Sequence, residues 1–542
     1  MPFEENSRRS FMKLTGGGMT GAALAAIAVT PGQGFAQRAT QNRSGAFDVK
    51  EFGARGDGKT IDTSAINKAI EAAAAAGGGS VRFPAGNYLC YSIHLKSAVA
   101  LYLDQGATII AADALPEGQT GGYDEPEPVQ LWEQYQDYGH NHWHNSLIWG
   151  EGLHDLSIYG PGRIWGKGLA RNNGPETRNP AERRTQGVGN KSISLKNCRN
   201  VVLKDFQILQ GGWFGILATG VDNLIIDGLM IDTNRDGMDI DCCRNVRISN
   251  CAVNSPWDDA IVPKSSFALG YNRPCENMTI ANCYVTGAYV LGTMLDGTWK
   301  KWGPNDRVPH TGRIKFGTES NGGFKNTAVT NCVFEGCQGL ALESEDGALL
   351  EDMVISNITM RDIVSAPLFI RLGSRLRGPS EVTKTGAIRR VTISNIISSN
   401  ASSQYGCIIS GIPNFPIENL KISNLYLEHQ GGGTKEQAAL TPAEDETKYP
   451  DPHMFGDMPS QGFFIRHVKN IEISEVQIVA NAPDLRPSFV LQDVDGADFF
   501  RIKTSEQSEV PKFVLNNVKN FEVARARGLK DTGIEQVDHK LL

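Results

Sequence analysis

Three aspartates lie close together in two short stretches of this chain. Asp236 sits in "NRDGMDIDCC" from Asn234, and Asp258 and Asp259 sit in "SPWDDAIVPKSS" from Ser255. Carboxylates forced together repel when all are ionised. At least one then keeps its proton above the ordinary range and can serve as an acid, while an ionised neighbour activates water. That equipment suits hydrolysis of a glycosidic bond. Inversion at the sugar expects acid and base carboxyls ~6.5–9.5 Å apart. Further on, "GRIKFG" places Arg313 and Lys315 on either side of Ile314. On a strand both cations face one side, and such a pair can grip a carboxylate on an acidic ligand.

The chemistry needs a scaffold that brings these positions together, and the chain repeats a phrase that supplies one. It reads Asn or Asp, apolar, any, Ile or Val, any, Asn or Asp, as in "NVVLKD" at Asn200, "NVRISN" at Asn245, "NMTIAN" at Asn277 and "NLKISN" at Asn419. Looser copies begin at Asp155, Asn223, Asn326, Asp498 and Asn520. Uninterrupted neighbours are 22 or 23 residues apart, counting from Asn200 to Asn223 to Asn245. Short alternating stretches are strands with one buried face. A repeat of this length with no helix between strands is a coil stacked on itself. The expected class is all-β: a single-stranded right-handed parallel β-helix.

The terminal Asn of each phrase (Asn250, Asn282, Asn331, Asn357, Asn395, Asn424) should form one column of hydrogen-bonded amides. Asp236 follows Asn223 by 13 positions, Asp258 follows Asn245 by 13, and Trp213 follows Asn200 by 13. Equal offsets predict a column Trp213, Asp236, Asp258 at roughly the strand spacing of ~4.8 Å, with Asp259 beside it. Ser255-Pro256 predicts a turn that lets both Asp258 and Asp259 face outward. Cys251, Cys283 and Cys332 share one offset and Cys198, Cys243 and Cys275 another, which reads as interior packing rather than disulfides. Before the repeats, Asp62 or Thr63 can cap a short helix with Ile66, Ala69 and Ile70 on one stripe, stopped at Gly77–Gly79. Laid over the first coil, it covers an exposed edge.

The bulk numbers agree with this reading. The chain has 542 residues, 40% hydrophobic and 21% charged, with 59 glycines. A formal net charge of −7 argues against nucleic acid and against an anionic membrane surface. "SRRSFMKL" from Ser7, followed by a mild apolar run to Val29, reads as a twin-arginine export signal, with cleavage after Ala36. The expected organisation is therefore residues 1–36 signal, 37–45 linker and 46–542 one β-helix, delivered to a bacterial periplasm or exterior. The run is too short and weak for a stable membrane span.

The order "NRD", "DD", "RIK" on a β-helix resembles glycoside hydrolase family 28, the polygalacturonases and their relatives, whose usual motifs are NTD, DD, GHG and RIK. The resemblance runs from "FGARGDG" to the last coils. It implies a pectin-lyase-like solenoid that inverts at the sugar and acts on a pectin-type acidic plant cell-wall polysaccharide or oligosaccharide, with chains containing galacturonic acid favoured by Arg313 and Lys315. Asp258 would be the general acid, Asp236 and Asp259 would position the water, and Arg313 and Lys315 would bind the sugar carboxylate. Asn234, Arg235, Trp213 and Trp257 are candidate substrate contacts. No cofactor or metal is required, and by analogy such solenoids act as monomers.

Two departures bear on the substrate. Arg235 replaces the motif Thr, and Gly287 stands where the motif His belongs, with His310 nearby in the sequence as a spatial substitute. The aromatic insertions Tyr123–Asn145 and Leu295–Gly312 (Trp299, Trp302) could wall the groove and favour exo action on chain ends. His140, His142 and His144 alternate, so on a strand they would share a face and could hold a metal; polar loop contacts are the plainer reading. Two other readings remain. One is a lyase using calcium on Asp236, Asp239 and Asp241, and the other is a β-helical protein that only binds carbohydrate.

Overall fold

Successive copies of the phrase pair side by side, all parallel. Val201 lies beside Leu224, then Val246, then Met278, and Leu203 beside Ile226, Ile248 and Ile280. Their side chains are 0–2% exposed and form continuous interior stacks. Each such side chain contributes ~1.5–3 kcal/mol by leaving water, so the repeat is its own core. The structure is a computed structural model that describes residues 45–115, 119–170, 187–233, 235–505 and 509–542. The export signal, all but the last residue of the linker, and Asn234 lie outside the described residues. Gly45–Leu542 forms one compact unit.

A lap of the coil has three strands, for example Arg199–Lys204, Gln207–Leu209 and Phe214–Thr219. The third strands stack into the face that carries the aspartates. In chain order they are β1 (Ile93–His94), β2 (Ile148–Glu151), β3 (Lys191–Lys196), β4 (Phe214–Thr219), β5 (Asp236–Asp241) and β6 (Ile261–Lys264). A bridge from Ile261 to Ile314 continues the face into β7 (Lys315–Phe316), then β8 (Leu340–Ser344) and β9 (Leu368–Leu372).

The predicted amide column is present. Asn282 donates to Asn250, Asn331 to Asn282, Asn357 to Asn331, Asn395 to Asn357 and Asn424 to Asn395, at 2.8–3.3 Å. A second column joins the first residues of the phrases, from Asp155 through Asn200, Asn223, Asn245 and Asn277 to Asn326. Both columns stand in the left-handed region, with φ of 57° at Asn250 and 57° at Asn245. Asn tolerates that conformation better than other side chains, which explains its recurrence at both ends of the phrase. All ten cysteines are buried and unpaired.

The first coil is covered by α1 (Thr63–Ala75), whose Ile66, Ala69, Ile70 and Ala73 are buried at helical spacing. Asp62 does not cap it through its side chain; its carboxylate accepts the Arg55 and Gly56 N–H groups instead. At the other end, Thr532–Leu541 pairs antiparallel with Phe513–Ala524. The chain thus departs from the all-parallel expectation where an open edge needs covering.

Candidate active site

The aspartates converge, but not in the column that equal offsets predict. Phe214 pairs with Asp236, and Met238 pairs with Ile261. Continued back two and three residues from Met238, that register puts Asp236 beside Asp259 and Arg235 beside Asp258. The cause is corner length. Leu209 and Asp232 pair 23 apart, whereas Phe214 and Asp236 pair 22 apart, so the corner before Asp236 is one residue shorter. Asp232 and Asn254 pair 22 apart and Met238 and Ile261 pair 23 apart, so the corner holding Asp258 is one longer. Trp213, Arg235 and Asp258 therefore share one column. The Arg235 guanidinium lies 4.0 Å from the Trp213 ring centre, and its Nη2 is 2.5 Å from Asp258 Oδ2.

The turn at Pro256-Trp257 brings both aspartates to the same side as Asp236. One carboxylate oxygen from each of the three lies within 4.8 Å of the others. That is closer than the separation expected for inversion, so the geometry itself carries no argument for that outcome. Asp258 is the open member at 29% side-chain exposure, against 5% for Asp236 and Asp259.

Their environments differ. Burial first, then the charges of Asp239 and Asp258, push Asp236 well above the ordinary carboxylate range, and Lys264 and Arg235 offset only part. Burial also acts on Asp259, but Lys315 and Arg313 outweigh it and hold that carboxyl below its ordinary value. The cluster thus pairs a proton-retaining acid with an ionised base, the separation that acid–base work requires.

Arg313 and Lys315 stand beside the cluster but are not open to a ligand, contrary to expectation. Their side chains are 3% exposed. Arg313 Nε donates to Asp259 at 2.8 Å, and its Nη2 lies 3.6 Å from Asp451. Lys315 Nζ donates to the Tyr449 hydroxyl at 3.1 Å and faces Asp259 at 3.4 Å and Glu343 at 3.6 Å. Tyr449 and Asp451 come from residues 430–462, the segment between two consecutive long strands, and reach this face through those contacts. Sequence reasoning missed Asp451, Tyr449 and Glu343. For Tyr449 and Asp451 the available signal was the 51-residue gap between Asn419 and Asn470, where the phrase is interrupted; Glu343 lies in the strand Leu340–Ser344 and carried no such signal.

The position expected for a motif histidine is filled from elsewhere. A Cβ on Gly287 would meet the His310 backbone at 2.7 Å, and the His310 ring lies 2.9 Å from the Gly287 carbonyl through Nδ1. The same segment reaches the aspartate turn, where the Gly312 N–H donates to the Asp258 carbonyl at 2.9 Å. Trp257 and Trp302 meet edge to face with ring centres 6.2 Å apart. The first insertion arches over the face, with Trp132 donating to the Ala268 carbonyl and His140 lying 3.0 Å from Asp239. The three alternating histidines do not share a strand face. His140 turns to Asp239, His142 to Glu133 and Glu127, and His144 to Glu151. A one-turn segment in place of a strand breaks their alternation. Asp239 also faces Lys264 at 3.4 Å, and Asp241 accepts both the N–H and O–H of Ser266.

Known proteins echo this architecture. Residues 46–129 match the family model described as rhamnogalacturonase A/epimerase, pectate lyase-like, and residues 179–299 match a right-handed β-helix region. A probable polygalacturonase of Vitis vinifera is 22% identical over 439 residues, 78% of this chain and 82% of that protein. A family 28 exopolygalacturonase of Yersinia enterocolitica superposes with a TM-score of 0.59 at 18% identity, covering 85% of this chain and 79% of the other. A hyperthermoactive exopolygalacturonase of Thermotoga maritima superposes at 0.52 and 18% identity, over 92% and 95%. The chain is thus a right-handed parallel β-helix, similar at low identity to polygalacturonases.

Proposed function

We propose that this protein is a glycoside hydrolase acting on pectin-type polysaccharides or their oligosaccharides. The observation that carries the proposal is the aspartate cluster: three carboxyls converge on an open turn, one pushed to hold a proton and one held ionised. Asp258, the most open, faces the glycosidic oxygen and passes on the proton that Asp236 retains. Asp259, kept ionised by Arg313 and Lys315, draws the proton from the attacking water. Water adds to the sugar carbon, the bond to the leaving oxygen breaks, and that oxygen takes the proton. Inversion at the sugar stands on the family resemblance. Trp257, Trp302 and the chain around His310 line the approach, and the insertions around the cluster support action on chain ends. Export by a twin-arginine signal would place the enzyme where such polymers or their fragments occur.

A calcium-dependent lyase on Asp236, Asp239 and Asp241 is less well supported, because Asp239 and Asp241 are already engaged by Lys264, His140 and Ser266. The test is product analysis. The mature protein is incubated with homogalacturonan, rhamnogalacturonan and short oligomers, with and without chelator. Saturated products that persist with chelator support the proposal. Unsaturated products that disappear with chelator would replace it with the lyase, and no product from any of them would favour a protein that only binds.

A further inference from the structure

The charges next to the aspartates bear on which sugar this site accepts. We propose that the subsite beside Asp258 takes a sugar without a free carboxylate, either a neutral sugar or a uronic acid whose carboxyl is esterified. The proposal deepens the hydrolase reading by naming the substrate class of the same site, and it is tested by binding alone.

The two cations suited to hold a substrate carboxylate are already neutralised by the protein. Arg313 is shared by Asp259 and Asp451, and Lys315 faces Asp259 and donates to the Tyr449 hydroxyl, so two ionised carboxylates balance the two cations. Asp451 thus stands on Arg313 where an incoming carboxylate would have to bind. Arg235 is committed to Asp258, and Lys264 to Asp239 and Glu319. His453, exposed at the rim, is bonded to Asp451 at 2.5 Å. A second carboxylate brought here would face Asp258 and Asp451 with no uncommitted cation among these groups.

The segment bearing Tyr449 and Asp451 is tied down rather than poised to swing away. Arg371 donates to the carbonyls of Glu444 and Asp445 at 2.8 and 3.3 Å, and Arg466 to those of Pro442 and Ala443 at 2.8 and 3.0 Å. Both arginines are fully buried. Charge-assisted bonds of this kind are roughly twice as strong as neutral ones, so Asp451 is a fixed counter-charge. What the site leaves open is aromatic. The Tyr449 residue is 52% exposed with its hydroxyl turned inward, and Trp257 and Trp302 lie partly open. Such rings pack on the apolar face of a sugar and need no charge.

The experiment is calorimetric titration of the mature protein at pH 6 with galacturonate trimers, as the free acid and as the full methyl ester, with ligand integrity checked by chromatography afterwards. The two ligands share one backbone and differ at the carboxyl groups, charged in one and capped by methyl in the other, and the Asp451→Asn variant separates the charge from the added methyl. The expected result is that the ester binds about tenfold tighter, the scale of a like-charge contact near a surface. Asp451→Asn should raise affinity for the free acid about tenfold and leave ester binding within about twofold, which also shows that the variant is folded. Free acid binding as tightly as the ester in the wild type would overturn the proposal, as would failure of both to bind at millimolar concentration. Turnover is not read, so a failure of the hydrolase reading would show separately, in the product analysis.

Discussion

Glu343 sits inside the charge network that occupies Arg313 and Lys315, and replacing it with Gln reads that network directly. Its carboxyl is fully buried, 3.6 Å from Lys315 and accepting a bond from the Thr318 hydroxyl at 3.1 Å. Burial raises it from 4.5 to about 7, and the attraction of Lys315 and Arg313 offsets only part. The folded state therefore binds a proton that the unfolded state releases between these two values. Stability falls as pH rises through that window, by about 3 kcal/mol at ~1.36 kcal/mol per pKa unit. Glu343→Gln mimics the protonated form and escapes that loss. The variant should match the wild type at pH 4 and exceed it by about 3 kcal/mol at pH 8.5. Unfolding entropy near ~2.1 cal/mol/K per residue gives roughly 1 kcal/mol/K for a chain of this length, so Tm should differ by about 3 °C. Thermal unfolding from pH 4 to 8.5 measures it. If ionised Glu343 were instead a needed partner of Lys315, its removal would cost stability, and more so at high pH. That result, or an offset that does not change with pH, would show that Glu343 does not hold its proton in the folded state.

Other consequences can be checked in parallel. Arg235→Thr removes the charge-assisted contact to Asp258, so kcat/KM should fall roughly 10- to 100-fold. It also removes a group that lowers Asp236, so the alkaline limb of the pH–rate profile should move to higher pH. Asp451 is lowered from 3.8 to about 2, with the His453 bond and Arg313 outweighing burial. It therefore contributes about 2 kcal/mol above pH 4, lost as pH falls toward 2, and the destabilisation of Asp451→Asn in pH-dependent denaturation should shrink over that range. Asn357 bonds to Asn331 and Asn395 at φ 58°. Asn357→Ala should cost about 2–3 kcal/mol by urea unfolding, and Asn357→Gly about 1 kcal/mol less, because glycine relieves the left-handed backbone.

Much of the fold was legible because one short phrase encodes both the buried stripe and the polar corners. Val201, Leu224 and Val246 recur at the spacing of a lap, and Asn recurs where the backbone turns left-handed. The neighbourhood of the aspartates was legible too, since a lap brings positions 22 or 23 apart together. Their pairing was not, because two corners differ by one residue and an offset count cannot see which strand end absorbs the change. That single step put Arg235, not Asp236, beside Asp258. The state of Arg313 and Lys315 was hidden for another reason. Tyr449 lies 134 residues beyond Lys315, in a segment with no repeat to place it. The alternating histidines misled because periodicity implies a shared face only inside a strand, and their segment is not one.

The most direct test of the central claim, that the aspartates add water across a glycosidic bond, is digestion in heavy-oxygen water. Wild type and Asp258→Asn are compared on the pectic oligomer that product analysis identifies, with mass spectrometry of the fragments. Hydrolysis by these aspartates leaves one heavy oxygen per bond cleaved, in saturated product, from the wild type alone. Unlabelled product carrying a double bond, or labelled product formed at the wild-type rate by Asp258→Asn, would contradict it.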